Sequence, residues 1–146
     1  MSLEVVLRYR TRRPWAPGTS SLRRWARLAA GERRGELGIR VVGRREGRQL
    51  NERWRGRAYA TNVLSFPAAA ELGGRQIGDI VVCAPVVARE AREQGKTLAA
   101  HWAHMIVHGT LHLVGFDHAR AKDARLMEGR ERALLARIGI ADPYGG

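Results

Sequence analysis

The chain has 146 residues, of which 45% are hydrophobic, and we expect residues 1–146 to form one domain around one core. A single cysteine, Cys83, excludes an internal disulfide framework and favours a reducing cytoplasm. No apolar stretch approaches the roughly 20 residues that cross a bilayer, so no membrane partner is expected.

Charge is the second informative property of the composition. Lysine and arginine number 26 against 14 acidic residues, which gives a formal net charge of +12, and only two of the basic residues are lysines. Guanidinium groups bind phosphate through two donors at once and stack on bases. This excess of arginine therefore indicates a nucleic-acid partner. The alternative is that many of these arginines are solvated and have no binding role.

The hydrophobic pattern predicts nine elements in chain order. Four stretches are typical of strands: residues 3–9, 36–42, 62–66 and 77–83. Five stretches have helical spacing: from a cap at Thr19 or Ser20 to Gly31, residues 46–54, residues 85–94, a histidine-bearing helix capped by Thr97, and residues 123–138. Residues 67–75, rich in alanine and glycine, predict a flexible loop. A small mixed β-sheet covered by helices, of the α+β class, fits this order.

All five histidines lie between His101 and His118. His108 and His112 are four residues apart, so they project from one face of a helix. Gly115 is suited to a left-handed helix end that turns the chain back toward that face and carries His118 with it. Three imidazoles around one divalent cation, with a fourth position open, describe a catalytic zinc site at the end of a central helix.

The remaining histidines admit other interpretations, because a lone histidine on a helix is most often a core or surface residue. The helix is apolar nearly all round, so it is buried, and its stripe of imidazoles requires partners. His104 lies about one turn, or ~6 Å, further from the Gly115 reversal than His108. We interpret His101 and His104 as supporting or structural residues, with substrate binding by His104 as the alternative.

Three blocks of sequence carry a resemblance to a known family. The first is His108-Gly-Thr-Leu-His112-Leu-Val-Gly-Phe-Asp-His118, and the second is Arg55 followed by Thr61-Asn-Val-Leu-Ser-Phe-Pro67. The third is Gly78-Asp-Ile80. Together these blocks resemble the YbeY family of bacterial endoribonucleases that act in rRNA maturation. The resemblance runs from about Arg40 to Tyr144 and matches the first 35 residues only loosely.

The resemblance implies a zincin-like α+β fold and one Zn²⁺ per chain on His108, His112 and His118. It also implies cleavage of single-stranded RNA, in 3′-end maturation of small-subunit 16S rRNA, ribosome biogenesis and ribosome quality control. The partners it implies are rRNA, the small ribosomal subunit and associated factors. Arg55 matches an arginine that is functionally essential in that family. Trp54 replaces the tyrosine or phenylalanine that usually precedes this arginine, so aromatic character is kept.

Chemistry adds three hypotheses about mechanism. Gly109 stands where His-Glu-x-x-His peptidases place their catalytic glutamate, which argues against a peptidase, and a glycine there would let an anionic substrate approach the helix. We expect Arg55 to hold the scissile phosphate, and Asp117 to orient an imidazole or cap the turn. The alternative function is an RNA- or ribosome-binding assembly factor with a mainly structural metal and weak nuclease activity.

Overall fold

The computed structural model describes residues 3–11, 16–69, 75–116 and 119–145. Within these ranges all nine predicted elements are present, four strands and five helices. The strands are β1 (Glu4–Tyr9), β2 (Glu36–Val42), β3 (Val63–Pro67) and β4 (Gln76–Cys83). The helices are α1 (Thr19–Ala30), α2 (Arg44–Arg55), α3 (Ala84–Glu93), α4 (Leu98–Leu113) and α5 (Ala121–Arg137).

The four strands form one mixed sheet in the order β1-β2-β4-β3. β1 is parallel to β2 and β2 is parallel to β4, whereas β3 pairs antiparallel with β4 at the edge, with Ser65 opposite Ile80. The predicted α+β class with a small mixed sheet is confirmed. In the described part of the chain, no helix is both long enough and apolar enough to span a membrane.

Successive residues of β4 point to opposite faces of the sheet and divide the core in two. Ile80 and Val82 join the larger cluster, which lies between the sheet and helices α1 and α4. Val81 and Cys83 join a smaller cluster with Leu50 of α2 on the other face. Cys83 is buried at the end of an apolar run, and burial raises the pKa of its thiol.

Helix α4 lies at the centre of the molecule and packs against α1, α3, α5 and two strands. Trp102, Ile106 and Leu111 are fully or almost fully buried, as an apolar helix predicts. At its start, Thr97 Oγ1 accepts a hydrogen bond from the Ala100 N–H at 3.1 Å, which confirms the predicted cap. This position makes α4 the scaffold for the histidine stripe.

The end of α4 also follows the prediction. Gly115 has φ +116°, and its N–H approaches the carbonyl of His112 at 3.4 Å while Phe116 N–H donates to Leu111 O at 3.0 Å. These two bonds are those of a Schellman motif, which satisfies carbonyls at the end of the helix and reverses the chain. Residues 117–118 lie outside the described residues, so the predicted roles of Asp117 and His118 are not described by the structure.

Several local predictions were wrong, among them the start of α5, which begins at Ala121 in place of residue 123. The N-cap of α1 is Gly18, with no side-chain cap, in place of Thr19 or Ser20. Helix α2 begins at Arg44, two residues before the predicted start, because Gly43 in extended conformation already permits the turn. Pro67 belongs to β3, where an edge strand tolerates proline. Most of the predicted 67–75 loop, residues 70–74, lies outside the described residues.

Gly109 has a structural role that the sequence did not indicate. A Cβ built on it would lie 3.1–3.3 Å from side-chain atoms of Ile80, so this position faces the sheet. The Ser65 hydroxyl donates a hydrogen bond to the Gly109 carbonyl at 3.2 Å. The glycine therefore allows α4 to pack closely on β3 and β4, and the expectation that it opens a path for substrate is wrong.

Candidate active site

A cavity of about 500 Å³ lies between the end of α2, the strand β3 and helix α4. Its lining brings together three predicted features: Arg55, the segment 61–66 and the histidines His108 and His112. These residues are separated by up to 57 positions in the chain, and α4 packs directly against β3. The residues that line this cavity therefore include one arginine and two histidines.

Arg55 is placed by the way α2 ends. Gly56, at φ +69°, terminates the helix directly after Arg55, which is exposed on the last turn. The buried Asn51 donates from Nδ2 to the carbonyl of Tyr59 at 2.7 Å and so ties the following loop back to the helix. Asn51 was not singled out from the sequence, where one polar residue on a polar helix carries no signal.

An aromatic pair stands beside Arg55 at the cavity. Trp54 is 61% exposed, and its ring meets the edge of Phe66 with centroids 5.9 Å apart. The guanidinium of Arg53 lies over the Trp54 ring at 5.4 Å. A large exposed indole held by neighbours on two sides is a rigid surface on which a planar group can stack.

His108 and His112 project from the same face of α4 into the cavity, as their spacing predicted. Both are partly exposed. His108 Nδ1 lies 2.5 Å from Glu131 Oε1, on the side of the ring turned toward α5. A carboxylate can only accept a hydrogen bond, so Nδ1 carries a proton, and in the neutral imidazole the lone pair is then on Nε2.

Glu131 is a buried carboxylate that the sequence analysis did not select. Its side chain has no solvent exposure, and Tyr144 donates its hydroxyl to Oε2 at 2.5 Å while His108 approaches Oε1. Burial by itself raises the pKa of this carboxyl, but hydrogen bonds with His104, His108 and Tyr144 outweigh it and lower the pKa to about 2. Glu131 is therefore an anion at neutral pH.

A signal for Glu131 was present in the sequence. The buried residues of α5 are Met127, Glu131, Leu134 and Leu135, which recur at helical spacing on one face. A glutamate in an otherwise apolar stripe must find hydrogen-bonding partners inside the protein. That pattern could have predicted a carboxylate directed at the buried histidines.

The C-terminal segment, residues 142–144, lies next to the hydrogen-bond network around Glu131 and is bonded to α5. Arg132 Nε donates to both carboxylate oxygens of Asp142 at 3.0 Å, and the Tyr144 N–H donates to Asp142 Oδ1 at 2.8 Å. The Arg132 guanidinium also lies 5.2 Å from the centroid of the Tyr144 ring. Hydrogen bonding to Glu131 and burial together raise the pKa of the Tyr144 hydroxyl, burial being the larger cause.

His104 belongs to the same buried network. Its Nε2 lies 3.2 Å from the Tyr144 hydroxyl and 3.7 Å from Glu131 Oε1, and its ring meets the Tyr144 ring at 88°. Burial is the main cause that lowers the pKa of His104, and it outweighs the opposing effect of Glu131. These contacts fit the interpretation of His104 as a supporting residue.

His101 supports a different wall of the cavity. Its Nε2 lies 2.9 Å from Glu90 Oε1, and the same carboxylate accepts from Asn62 Nδ2 at 3.0 Å. Burial raises the pKa of Glu90, but the hydrogen bonds from His101 and Asn62 outweigh it, so the pKa is below its ordinary value. Asn62 lines the cavity, so this chain of contacts fixes the start of β3.

Two sets of side chains are therefore candidate ligands for a metal ion. Among the described residues, His104, His108 and Glu131 have donor atoms within 4.8 Å of one another and could hold one. The predicted set of His108, His112 and His118 has its first two members at the cavity, and its third lies outside the described residues. His108 is common to both sets.

The lowered pKa of Glu131 predicts how stability depends on pH. A carboxyl whose pKa is about 2 when folded and 4.5 when unfolded stabilises the fold above pH 4.5, and this contribution is lost as the pH falls toward 2. We expect the free energy of unfolding to decline less steeply over that interval in Glu131→Gln than in the wild type. Denaturant unfolding at a series of pH values measures the difference.

Glu128→Gln is the matched control for this prediction, because Glu128 lies on the same helix and, among the described residues, its ion pair is a long i,i+4 contact with Arg132 at 3.9 Å. We expect its pH profile to follow that of the wild type. Parallel profiles for Glu131→Gln and the wild type between pH 4.5 and 2 would contradict the assignment of Glu131 as a stabilised anion.

Comparison with known proteins supports the resemblance seen in the sequence. A family model described as Endoribonuclease YbeY matches residues 19–139. The endoribonuclease YbeY of Alkalilimnicola ehrlichii is 57% identical over 136 aligned residues, which cover 88% of this chain and 82% of the relative. That of Stenotrophomonas maltophilia strain R551-3 is 51% identical over 152 aligned positions, which cover 99% and 94%.

A solved structure shares the fold. The solution structure of TM1509 from Thermotoga maritima superposes with a TM-score of 0.54 and covers 97% of this chain and 99% of its own. At 22% sequence identity, this likeness concerns the fold alone.

Proposed function

Because this chain belongs to the YbeY family of endoribonucleases, we propose that it is a metal-dependent enzyme that cleaves single-stranded RNA. The observation that carries the proposal is the cavity in which Arg55, the exposed indole of Trp54 with the partly buried Phe66, and two helix-borne imidazoles meet. We propose small-subunit rRNA, at the 3′ end of 16S rRNA, as the substrate. The partners would be the small ribosomal subunit and its associated factors in the cytoplasm, with residues 1–146 acting as one domain.

Arg55 supplies the charge that such a substrate requires. A guanidinium group can donate two parallel hydrogen bonds to a phosphate, and at this position it faces the same space as His108 and His112. A phosphodiester held there is fixed next to the imidazoles, and negative charge that develops on its oxygens during cleavage is stabilised. The net charge of +12 draws the polyanion toward the protein over a longer range.

The base next to the scissile phosphate would stack on the indole of Trp54. Single-stranded RNA is bound in many proteins by stacking of unpaired bases on aromatic rings, which tolerates any sequence. The edge-to-face contact with Phe66 restricts the Trp54 ring, so less conformational freedom is lost on binding. Arg55 and Trp54 are adjacent in the chain and would therefore bind the phosphate and the base of neighbouring units.

We propose that His108, His112 and His118 hold the cation, with Zn²⁺ as the metal that three imidazoles suit best. The donor chemistry of the cavity fits, because Glu131 keeps the proton of His108 on Nδ1 and leaves a lone pair on Nε2. When bound, a divalent cation at such a site lowers the pKa of a water molecule and polarises a phosphoryl oxygen.

The buried group of His104, His108 and Glu131 is the competing set. In the structure, both oxygens of Glu131 and the Nδ1 atom of His108 already take part in hydrogen bonds. A metal bound there would have to displace these bonds in a site closed to solvent at Glu131. This is why we favour the set that opens into the cavity.

The proposal is tested with purified protein and a labelled single-stranded RNA. We expect cleavage that a chelator abolishes and added Zn²⁺ restores, together with a metal content near one ion per chain. A duplex of the same sequence is the matched control and should remain uncut. If the protein binds RNA but cleavage is absent, or persists unchanged with chelator, the alternative of a binding factor with a structural metal is favoured.

Stacking on Trp54 gives a separate prediction. We expect Trp54→Ala to weaken binding of single-stranded RNA by about 1–3 kcal/mol, or roughly 5- to 150-fold, because one base loses its aromatic partner. Trp54→Phe should retain most of the affinity. Fluorescence anisotropy with a short labelled oligonucleotide measures both variants.

The control for this prediction is Tyr59→Ala, which removes another exposed aromatic side chain that does not line the cavity. We expect little change in RNA affinity for this variant. Equal losses in Trp54→Ala and Tyr59→Ala would show that the effect is not specific to stacking at the cavity.

A further inference from the structure

We infer that Glu131 and Tyr144 are positioning residues of the candidate metal site: the C-terminal tyrosine holds the buried carboxylate, and the carboxylate fixes the ring and tautomer of His108. This inference rests on the proposed function, in which His108 binds the cation. Neither residue lines the cavity, so both would act through His108.

Glu131 lies directly against the imidazole ring of His108. A 2.5 Å approach of Nδ1 to Oε1 fixes the plane of the imidazole as well as its proton. A histidine that binds a metal through one nitrogen usually donates its other N–H to a carboxylate or carbonyl, which raises its basicity and sets its tautomer. Glu131 occupies that place for His108. The prediction that Asp117 orients an imidazole or caps the turn is a separate one, and Asp117 lies outside the described residues.

Tyr144 in turn contacts Glu131. A carboxylate without solvent contact needs donors on its remaining lone pairs, and the Tyr144 hydroxyl supplies one to Oε2. With Oε2 held, Oε1 stays directed at His108. The same hydroxyl lies 3.2 Å from His104 Nε2, so one tyrosine joins the two buried groups.

Tyr144 is itself held in place, although the residue is 40% exposed. Asp142 accepts two hydrogen bonds from Arg132 on α5 and one from the Tyr144 N–H. Residues 142–144 are thereby hydrogen-bonded to α5, the helix that carries Glu131. This segment and the metal site therefore form one structural unit.

The test measures metal affinity by competition with a chromophoric chelator, independently of RNA cleavage. For Glu131→Gln we expect the Zn²⁺ affinity to fall about 10- to 100-fold, the range found when partners of metal-bound histidines are removed. For Tyr144→Phe, which removes one oxygen atom and keeps the ring, we expect a smaller fall in the same direction. Glu128→Gln and Tyr59→Phe are the matched controls and should bind like the wild type.

Tyr144→Phe also separates this inference from direct binding by Glu131. If the cation sat on His104, His108 and Glu131, loss of the hydroxyl would leave Oε2 available, and affinity would stay constant or rise; that result overturns the inference. Because Tyr144 is partly exposed, this variant provides the test even if Glu131→Gln does not fold.

A spectroscopic readout needs no metal at all. In the metal-free wild type, ¹⁵N–¹H correlation of the imidazoles should show His108 protonated on Nδ1, and Glu131→Gln should increase the other tautomer. An Nε2-protonated His108 in the wild type overturns the inference. If the wild-type protein cleaves RNA with bound metal while both variants keep wild-type affinity, the inference fails and the proposed function stands.

Discussion

Replacement of Arg55 by alanine is expected to lower kcat/KM for single-stranded RNA by about 100- to 1000-fold, the loss typical for one donor to a developing oxyanion. Arg55 lines the same cavity as His108 and His112. Its removal would leave the phosphate without a bidentate partner at the point where charge develops. Single-turnover cleavage of a labelled oligonucleotide, with Zn²⁺ present, measures the effect.

Two further variants show whether charge or geometry is responsible. Arg55→Lys keeps the charge but loses the two-pronged donor, and we expect it to recover only part of the activity. Arg55→Glu reverses the charge and should also weaken RNA binding. Arg92→Glu is the matched reversal, since Arg92 is exposed on α3 and does not line the cavity. If Arg55→Glu retained both cleavage and RNA binding, the role given to Arg55 would be wrong.

The local sequence was a good guide to elements and to the residues that the cavity gathers. The alternation in β2 and the spacing in α4 predicted element types, because each pattern reflects burial on one face or all round. Gly115 predicted the helix end, since its positive φ is strained for other residues. Contacts between residues distant in the sequence could not be predicted in this way, above all the orientation of Gly109 toward Ile80.

The hydrogen-bond network around Glu131 is a second case in which the sequence did not predict contacts between distant residues. Its misfit in the apolar stripe of α5 was visible in the sequence, but the partner was not. His108 and Glu131 are 23 residues apart, on helices whose packing angle depends on the whole core. The Tyr144 contact depends further on the tail segment fastened by Arg132 and Asp142. Motif spacing predicts which residues share a face of one helix, whereas this site combines α4, α5 and the C-terminal segment.

Replacement of His112 by glutamine is expected to abolish stoichiometric Zn²⁺ binding and to bring RNA cleavage to background. The loss of a ligand should exceed the roughly 10- to 100-fold loss of affinity that follows removal of an outer partner. Glutamine keeps much of the side-chain volume, so α4 should remain folded, which circular dichroism checks. Metal content after gel filtration and chelator competition give the two measurements.

His104→Gln is the matched variant, one turn above His108 on the same helix, as His112 is one turn below it. If the cation lies at the cavity, His104→Gln keeps one ion per chain, and His118→Gln loses it together with His112→Gln. If the cation lies in the buried group with Glu131, the pattern inverts, and His104→Gln loses the metal while His112→Gln retains it. Because His108 belongs to both sets, only the variants on either side of it distinguish them, and the inverted pattern would contradict the metal site proposed for this chain.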